Sequence, residues 1–561
     1  MKFIKLHFKY SITIFILLIG ILGIFHTRFD FTKDKRYTLT DATKLILKKI
    51  NKPLQFDIYL SGNFPAKYKY LQQETLTLLE QMQNENSNIE FNLIDPYKEN
   101  LTDSLQQMGY LPKYIQQMDK SQMSNILIFP YSSAFYNGFY NKVPLLQDNP
   151  GKSEDEILNF SIENLEYTIS NSINNLVSNK VKRIGFVTHH KELNPKEFYM
   201  FQQLMSDNYI IEPFFPSDST AKGYTLKDQK NSKKLDALVV AKPRTAFSED
   251  DKIVIDQFIM NGGKMLWMID AVNAEMDTLY RSDKILAYPY DLNLTDLLFS
   301  YGVRINPGIV KDAKRNATLN IMVNDESKSL NWPYYVLGES DEGNKHLITK
   351  NISPVRFQFP SSIDTLQNDV KKTILYQTSS YTATMSVPNY ITLDELQLGL
   401  SDSLIQVQYN KSPKFLAVLL EGKFPSAYAG RVERQEIPAF KEESIPTKMI
   451  VISDGDLAKN ELGKPSKNSP EIPMEIGFDK TTNISYGNKA FMKNAMDYLL
   501  DDSGLITLRN RNVEMKLLDS QKIVNEKLKW QWINTLIPIV IVLFFGLVFT
   551  QIKRRKYSSK T

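Results

Sequence analysis

Cysteine is missing from all 561 residues, and with it go disulfide frameworks, thiolate zinc sites, iron–sulfur clusters, thiol nucleophiles and CxxC redox centres. A charge excess of one sign is nearly missing too: 68 Lys plus Arg stand against 63 Asp plus Glu, a net +5. That surplus implies a nucleic-acid surface only if it gathers on one face of a folded domain. Two catalytic signatures are also lacking. No GxSxG elbow occurs, which removes the usual α/β-hydrolase nucleophile position. Gly151, Lys152 and Ser153 read like the end of a phosphate-binding loop, but the place of its earlier glycine is taken by Leu146, and Pro144 and Pro150 interrupt the approach. They read as a linker turn, so any ATP hydrolysis belongs to another chain. What the sequence does have is length, enough for three or four domains at about 150 residues each.

It also has two long uncharged apolar runs. YSITIFILLIGILGIF, from Tyr10 to Phe25, follows Lys2, Lys5 and Lys9 and leads into His26, Thr27 and Arg28 without a small-x-small cleavage pattern. It reads as an uncleaved anchor over residues 10–26 behind a cytoplasmic stretch of residues 1–9. WQWINTLIPIVIVLFFGLVFTQI, from Trp530 to Ile552, is a second membrane helix, and its Trp530 and Trp532 suit an interfacial belt. Lys553, Arg554, Arg555, Lys556 and Lys560 follow in a basic tail over residues 553–561. Both cationic clusters flank the outer ends of their helices, so the positive-inside rule places both termini in the cytoplasm and the bulk of the chain beyond the membrane. The anchors' eight cations exceed the net +5 and leave about −3 for everything between. No nucleic-acid partner is implied, and a lipid membrane is.

Between the anchors the periodicity is that of an α/β protein. Residues 27–146 read as a small domain: Thr40 caps a helix stopped by Pro53, and strands at Pro53–Gly62 and Asn88–Pro96 flank a helix over 68–84. A further helix over 104–117 and strands at Asn125–Tyr131 and Tyr140–Leu146 complete a thioredoxin-like arrangement without that family's redox dithiol. A linker and a helix from about Asp155 to Ser178 occupy residues 147–180. Residues 181–513 then alternate apolar strands (Lys182–His190, Tyr209–Ser217, Leu235–Pro243, Gly263–Ala271, Thr447–Asp456) with helices, the pattern of a doubly wound parallel sheet. Ser248 and Asp251 approximate a capping box, and Asn261, Gly262 and Gly263 end that helix. Apart from Phe415–Gly422, residues 305–445 show no period that assigns a topology, and residues 514–529 form a juxtamembrane segment.

Several blocks carry a resemblance when taken in order: FDFTKDKRYTLTDAT after the first anchor, RIGFVTHHKE, LDALVVAKP, FSEDDKIVIDQFIMNGGKMLWMID and YGNKAFMKNAMDYLLDDSGLITLRNRN. With the two anchors they resemble the auxiliary ABC-transporter family, and within it the gliding-motility subunits. The likeness covers nearly the whole chain apart from about 320–445. It implies pairing with an ABC permease subunit and an ABC ATPase subunit, and contact with other motility or envelope proteins. It implies a place in the bacterial inner membrane with the bulk periplasmic, and a class I glutamine-amidotransferase-like fold for the outer domain. It implies no catalysis, cofactor or metal, since that fold's nucleophile is a Cys, which this chain lacks.

Strand ends are where α/β proteins place ligand sites, and His189, His190, Asp270 and Asp454 sit there, with Asp456 two residues beyond. Adjacent histidines on a strand point to opposite faces, so a shared metal is disfavoured and a solvated loop is the expectation. If the sheet brings the aspartates together, they form an acidic cleft for a cation or an amine; otherwise they are caps and turn residues. The alternative function is an extracytoplasmic hydrolase or amidotransferase-like enzyme, which requires these side chains to converge on one pocket. Tyr334, Tyr335 and Tyr428 are further candidates for contact, although aromatics more often fill cores.

Overall fold

A computed structural model describes residues 38–119, 122–147, 152–178, 181–216, 235–282, 284–323, 326–340, 346–393, 407–409, 412–431, 440–464, 469–510 and 520–558. The anchor expected at residues 10–26 lies outside them. Residues up to Asn512 form one compact unit and Val513–Thr561 a second.

Thr40 caps α1 (Asp41–Leu47) as expected, its hydroxyl accepting from Thr43 N at 3.4 Å. Strand β1 (Leu54–Ile58) alternates buried and half-buried residues, and α2 (Ala66–Glu85) lays Tyr68, Leu71, Thr75, Leu79 and Met82 along one buried stripe. Strand β2 (Ile89–Leu93) pairs parallel to β1. The helix expected over 104–117 is cut short: α3 spans Thr102–Gln107, because Gly109 takes φ +82° and Pro112 cannot continue a helix. The remainder is β3 (Lys113–Asp119), which pairs antiparallel with β4 (Gln122–Ile128). Strands β5 (Tyr131–Tyr136) and β6 (Phe139–Pro144) form a hairpin and complete a sheet of order β2-β1-β5-β6.

The helix expected over 155–178 is two helices, α4 (Glu154–Glu163) and α5 (Leu165–Val177), broken at Asn164. Ser153, the last residue of the loop-like GKS, forms a capping box with Glu156 and so opens α4. Two consecutive α5 residues join distant parts of the chain. Glu166 accepts from Thr40 N and Thr40 Oγ1 at 2.9 Å and from Thr43 Oγ1 at 2.8 Å. Tyr167 donates to Asp497 at 3.3 Å and lies under the Arg509 guanidinium, 4.2 Å from its ring centre.

The larger sheet carries the site. Five parallel strands lie in the order β8 (Ile210–Phe214), β7 (Arg183–Val187), β9 (Ala237–Ala241), β10 (Lys264–Met268) and β12 (Thr447–Ile452). Antiparallel β11 (Phe415–Gly422) pairs with β12, and short strands at 303–305, 363–365 and 371–377 extend the sheet. Strand β9 (ALVVA) is buried throughout, as a central parallel strand covered on both faces must be. Alternate residues feed two cores. Val239, Leu266 and Ile450 meet Phe198, Phe201 and Met205 of α6 (Pro195–Ser206) and Phe491 and Met496 of α9 (Asn488–Leu500). Val240, Trp267 and Val451 meet Ile255 and Ile259 of α7 (Glu249–Met260) and Leu297 and Tyr301 of α8 (Thr295–Tyr301). Each fully buried side chain of this size is worth about 1.5–3 kcal/mol. The Ser248–Asp251 capping box opens α7, and Gly302, at φ +103°, closes α8 in the left-handed region where a Cβ is strained.

Crossover β7–α6–β8 covers one face and β9–α7–β10 the other, so the winding reverses between β7 and β9. The described residues of the segment whose topology had no periodic signal, 305–445, contribute a series of antiparallel strands. With residues 272–289 they build a satellite core around Trp332, Tyr334, Tyr335 and Phe359.

In the second unit, α10 (Ser520–Ser558) contains a candidate membrane span of 30 residues, Glu526–Arg555, within which an 18-residue window reaches a mean hydropathy of 2.4. Among the described residues it is the one helix long and apolar enough to cross a membrane. It encloses the expected span 530–552 and carries Lys553, Arg554 and Arg555 at its end.

Candidate functional site at the strand ends

The carboxyl ends of β9, β10 and β12 converge, and each delivers a charged side chain. Lys242 follows β9 directly in the left-handed region, at φ +55°, with its amide held by Met268 O at 2.9 Å. Its ammonium is fully buried, 2.5 Å from Asp456 Oδ2, 3.0 Å from Glu275 Oε1 and 3.1 Å from Asp270 Oδ2. Asp270 accepts from Gly455 N at 2.5 Å, and Asp454 accepts from Gln358 N and Asp456 N, both at 2.7 Å. Gly455 is required here: a Cβ would stand 2.6 Å from Lys242 Cγ. The aspartates picked from the sequence therefore do gather, together with Asp456. The cation that such a cluster attracts is supplied by the chain itself, as Lys242.

Burial opposes the Lys242 charge, but Asp270, Asp456 and Glu275 outweigh it and hold its pKa well above the ordinary value. Lys242 is thereby held as the cation of the cluster. Burial, reinforced by Asp456 and Glu275, pushes Asp270 up to about 6 against the pull of Lys242. Burial and its two neighbours Asp270 and Asp456 raise Asp454 well above its ordinary value. Burial also works against the Asp456 charge, but Lys242 and Lys459 hold that carboxyl below its ordinary value.

A cleft of about 420 Å³ opens beside the cluster. Asp456, Glu275 and Lys459 line it, and Lys459 Nζ lies 3.2 Å from Glu197 and 3.8 Å from both Glu275 and Asp456. Arg356 lines it too, paired with Asp479 at 2.7 Å and Glu461 at 3.6 Å and held between the rings of Tyr335 and Tyr486 at 5.1 and 5.0 Å. Two buried atoms of these lining residues, Asp456 Oδ1 and Arg356 Nε, have no hydrogen-bond partner among the described residues.

The histidines belong to a separate group. His190 is buried, not in the solvated loop expected: its ring stacks on Phe247 at 3.6 Å, with Nδ1 3.2 Å from Glu192 and Nε2 3.3 Å from Asp251. His189, at φ +93°, meets the edge of Phe215 at 4.9 Å. Among the described residues no hydrogen bond or ion pair links either histidine to Asp270 or Asp454, and no cluster is arranged to hold a metal ion. Tyr335 faces the cleft, Tyr334 packs in the satellite core and Tyr428 donates to Glu249 at 2.8 Å. Sequence reading missed Lys242, Glu275, Lys459 and Arg356. The strand-end rule that selected Asp270 applies equally to Lys242 in VVAKP. Glu275 and Arg356 lie in segments without a period and gave no signal.

The family described as an ABC-type uncharacterized transport system matches residues 181–495, more than half of the chain and the whole of the parallel sheet. The chain belongs to that family. This ABC-transport auxiliary protein also matches a domain of unknown function over residues 33–134. A Borreliella burgdorferi protein described as uncharacterized is 24% identical to it, with 98% of each chain covered. Among solved structures, the N-terminal domain of mmIFT52 is similar at 13% identity and a TM-score of 0.33, covering 57% of this auxiliary protein and 99% of that chain. A putative ThuA-like protein from Parabacteroides merdae is similar at 11% identity and a TM-score of 0.24, covering 57% and 90%.

Proposed function

We propose that the protein is a membrane-anchored, extracytoplasmic auxiliary subunit of an ABC-type transporter of the gliding-motility (GldG) type. In this reading both termini lie in the cytoplasm of the bacterial cell, and the helices pack against a permease. The outer unit couples the permease and its ATPase to cargo or envelope partners. The observation that carries the reading is the family match over the parallel sheet, in a chain that also has an apolar helix ending in three consecutive cations. Two features favour a non-catalytic role. Ser153 of the GKS run serves as a helix cap, and the charge at the strand ends is locked to Lys242. The expected outcome of affinity capture from detergent-solubilised membranes is co-purification of a permease and an ATPase subunit. Recovery of neither, under conditions that keep other transporters intact, would sink the reading.

A further inference from the structure

The first α/β domain exposes apolar side chains at one end. Tyr97, Leu111 and Tyr114 are 50%, 70% and 74% exposed, and Leu93 and Met108 are exposed within four residues of them in the chain. Tyr97 donates to Leu127 O at 3.1 Å, and Leu127 pairs across the β3–β4 hairpin with Tyr114, which brings the two tyrosines together. Grouped exposure of large apolar side chains marks an interaction surface. Where the chain enters the domain decides what that surface meets. Leu93 pairs with Ile58 at the carboxyl end of β1. Ile58 pairs with Ser132 and Ser132 with Val143, so β6 also ends there. Helix α5 begins at the same end: its Thr168 accepts from Gln147 beyond β6 at 2.6 Å, and its Ser172 O accepts from Asn141, nearer the hairpin turn, at 3.3 Å. Glu166, at the start of α5, holds Thr40. The chain therefore arrives at the end of the domain that carries the patch.

Eleven residues, 27–37, separate Thr38 from the apolar run 10–26, which lies outside the described residues and is the anchor in the reading proposed above. Fully extended, they reach about 36–40 Å. A leash of this length holds the patch near the bilayer at an effective concentration on the order of millimolar, so even a weak contact is populated. The contact is apolar. From Asp95 to Tyr114, Lys98 and Lys113 stand against Asp95, Glu99 and Asp103, about −1, a balance that attracts no anionic headgroup. Tyrosine beside aliphatic side chains suits the headgroup layer, where amphipathic rings collect. A second exposed group, Phe135, Phe139 and Tyr140, surrounds the β5–β6 turn at the opposite end of the sheet, away from the point of entry.

We infer that this end of the first domain, centred on Tyr97, Leu111 and Tyr114, rests on the lipid surface of the bilayer that anchors the chain. The inference rests on the anchored reading proposed above, and the test separates the two. A chain without cysteine takes a single label wherever one is introduced. Leu18→Cys, Tyr114→Cys and Phe139→Cys each receive a nitroxide, and the full chain is reconstituted in phosphatidylcholine vesicles without permease or ATPase. Collision with oxygen, which concentrates in lipid, and with a nickel chelate, which stays in water, places each label. Those at Leu18 and Tyr114 are expected to favour oxygen and that at Phe139 to favour nickel. A nickel-favoured label at Tyr114 beside an oxygen-favoured one at Leu18 would overturn the docking and leave the anchor standing. A nickel-favoured label at Leu18 would overturn the anchored reading, and with it the leash on which the docking depends. Oxygen-favoured labels at both Tyr114 and Phe139 would mean adsorption without regard to face and would also refute the assignment. Leu111→Asp alters an exposed side chain, so the thermal midpoint is expected to stay while the Tyr114 label turns to nickel. An unchanged oxygen preference in that variant would place the contact elsewhere. Replacing part of the lipid by phosphatidylglycerol is expected to change nothing, and docking that needs the anionic lipid would sink the apolar contact.

Discussion

Two of the buried charge clusters among the described residues are of opposite composition. At the strand ends one cation, Lys242, is shared by the carboxylates of Asp270, Glu275 and Asp456. At the junction of α5 and α9 one carboxylate, Asp497, is shared by Lys493 at 2.8 Å, Arg509 at 3.1 Å, and the hydroxyls of Tyr209 at 2.9 Å and Tyr167 at 3.3 Å. The second cluster is saturated, and its members come from four separate stretches of chain, so it works as a joint. The first opens on a cleft and leaves a carboxylate oxygen without a hydrogen bond. A buried charge whose partners are all supplied internally holds structure together. The strand-end cluster, by contrast, is carried to the rim of a cavity by Asp456 and Glu275.

The sharpest way to break this contrast is Lys242→Met, which removes the cation and leaves three carboxylates facing one another in a dry site. Loss of one partner from a buried ion cluster is expected to destabilise by about 3–5 kcal/mol. Urea unfolding followed by the fluorescence of the buried Trp267 and Trp332 reads it. A loss below about 1 kcal/mol, the scale of an exposed pair, would mean that water reaches the site.

The clusters should also respond to pH with opposite signs. Asp270 holds its proton up to about pH 6 in the folded state but releases it near its ordinary 3.8 when unfolded. Between those values the folded state binds the extra proton, so this group's stabilisation is complete at low pH and lost as pH rises through about 6. The wild-type advantage over Asp270→Asn is expected to shrink by on the order of 3 kcal/mol from about pH 4 to pH 7. Asp497 runs the other way. Burial opposes its charge, but Lys493 and Arg509 prevail and depress its pKa. Its contribution is therefore present above the ordinary carboxylate range and lost as pH falls through the depressed value. Parallel slopes for Asp270→Asn and Asp497→Asn would erase the distinction between the clusters.

A smaller test probes the neighbouring link from α5 to α1. Glu166 is the acceptor for three donors of Thr40 and Thr43, so Glu166→Gln replaces charge-assisted bonds with neutral ones and is expected to lose about 1–2 kcal/mol. Protection of the α1 amides against hydrogen exchange should fall while that of the β9 and β10 amides at the strand-end cluster stays unchanged.

How far the sequence foretold all this differs between the clusters. The parallel strands, the α7 capping box and the Gly262 stop were legible because each rests on local chemistry: apolar runs, a Ser-x-x-Asp spacing and a left-handed glycine. Asp270 and Asp454 were legible as strand-end acids. Their convergence was not, because β12 follows β10 by some 180 residues in the chain and sits beside it only through the sheet order. Arg356 and Asp479 stayed hidden for the same reason, in a satellite of short strands whose pairings are long-range. The Asp497 joint links residues 330 apart and has no local signature. The shortened α3 was misread because apolar spacing alone outweighed Gly109 and Pro112.

The finest test uses the most solvent-accessible cation of each cluster. Lys459 and Lys493 have side chains 20% and 35% exposed, so Lys459→Gln and Lys493→Gln are each expected to lose about 1 kcal/mol or less. By stability at neutral pH the two variants should look alike, and by their response to acid they should not. Lys493 is the foremost of the cations that depress Asp497, so its removal is expected to move the acid-side loss of stability to higher pH. Removal of Lys459 acts on Asp456 in the same direction but leaves Lys242 as that carboxylate's foremost partner, so the shift is expected to be smaller. An equal shift in the two variants, read from urea unfolding at a series of pH values, would mean that Lys242 does not dominate the strand-end cluster.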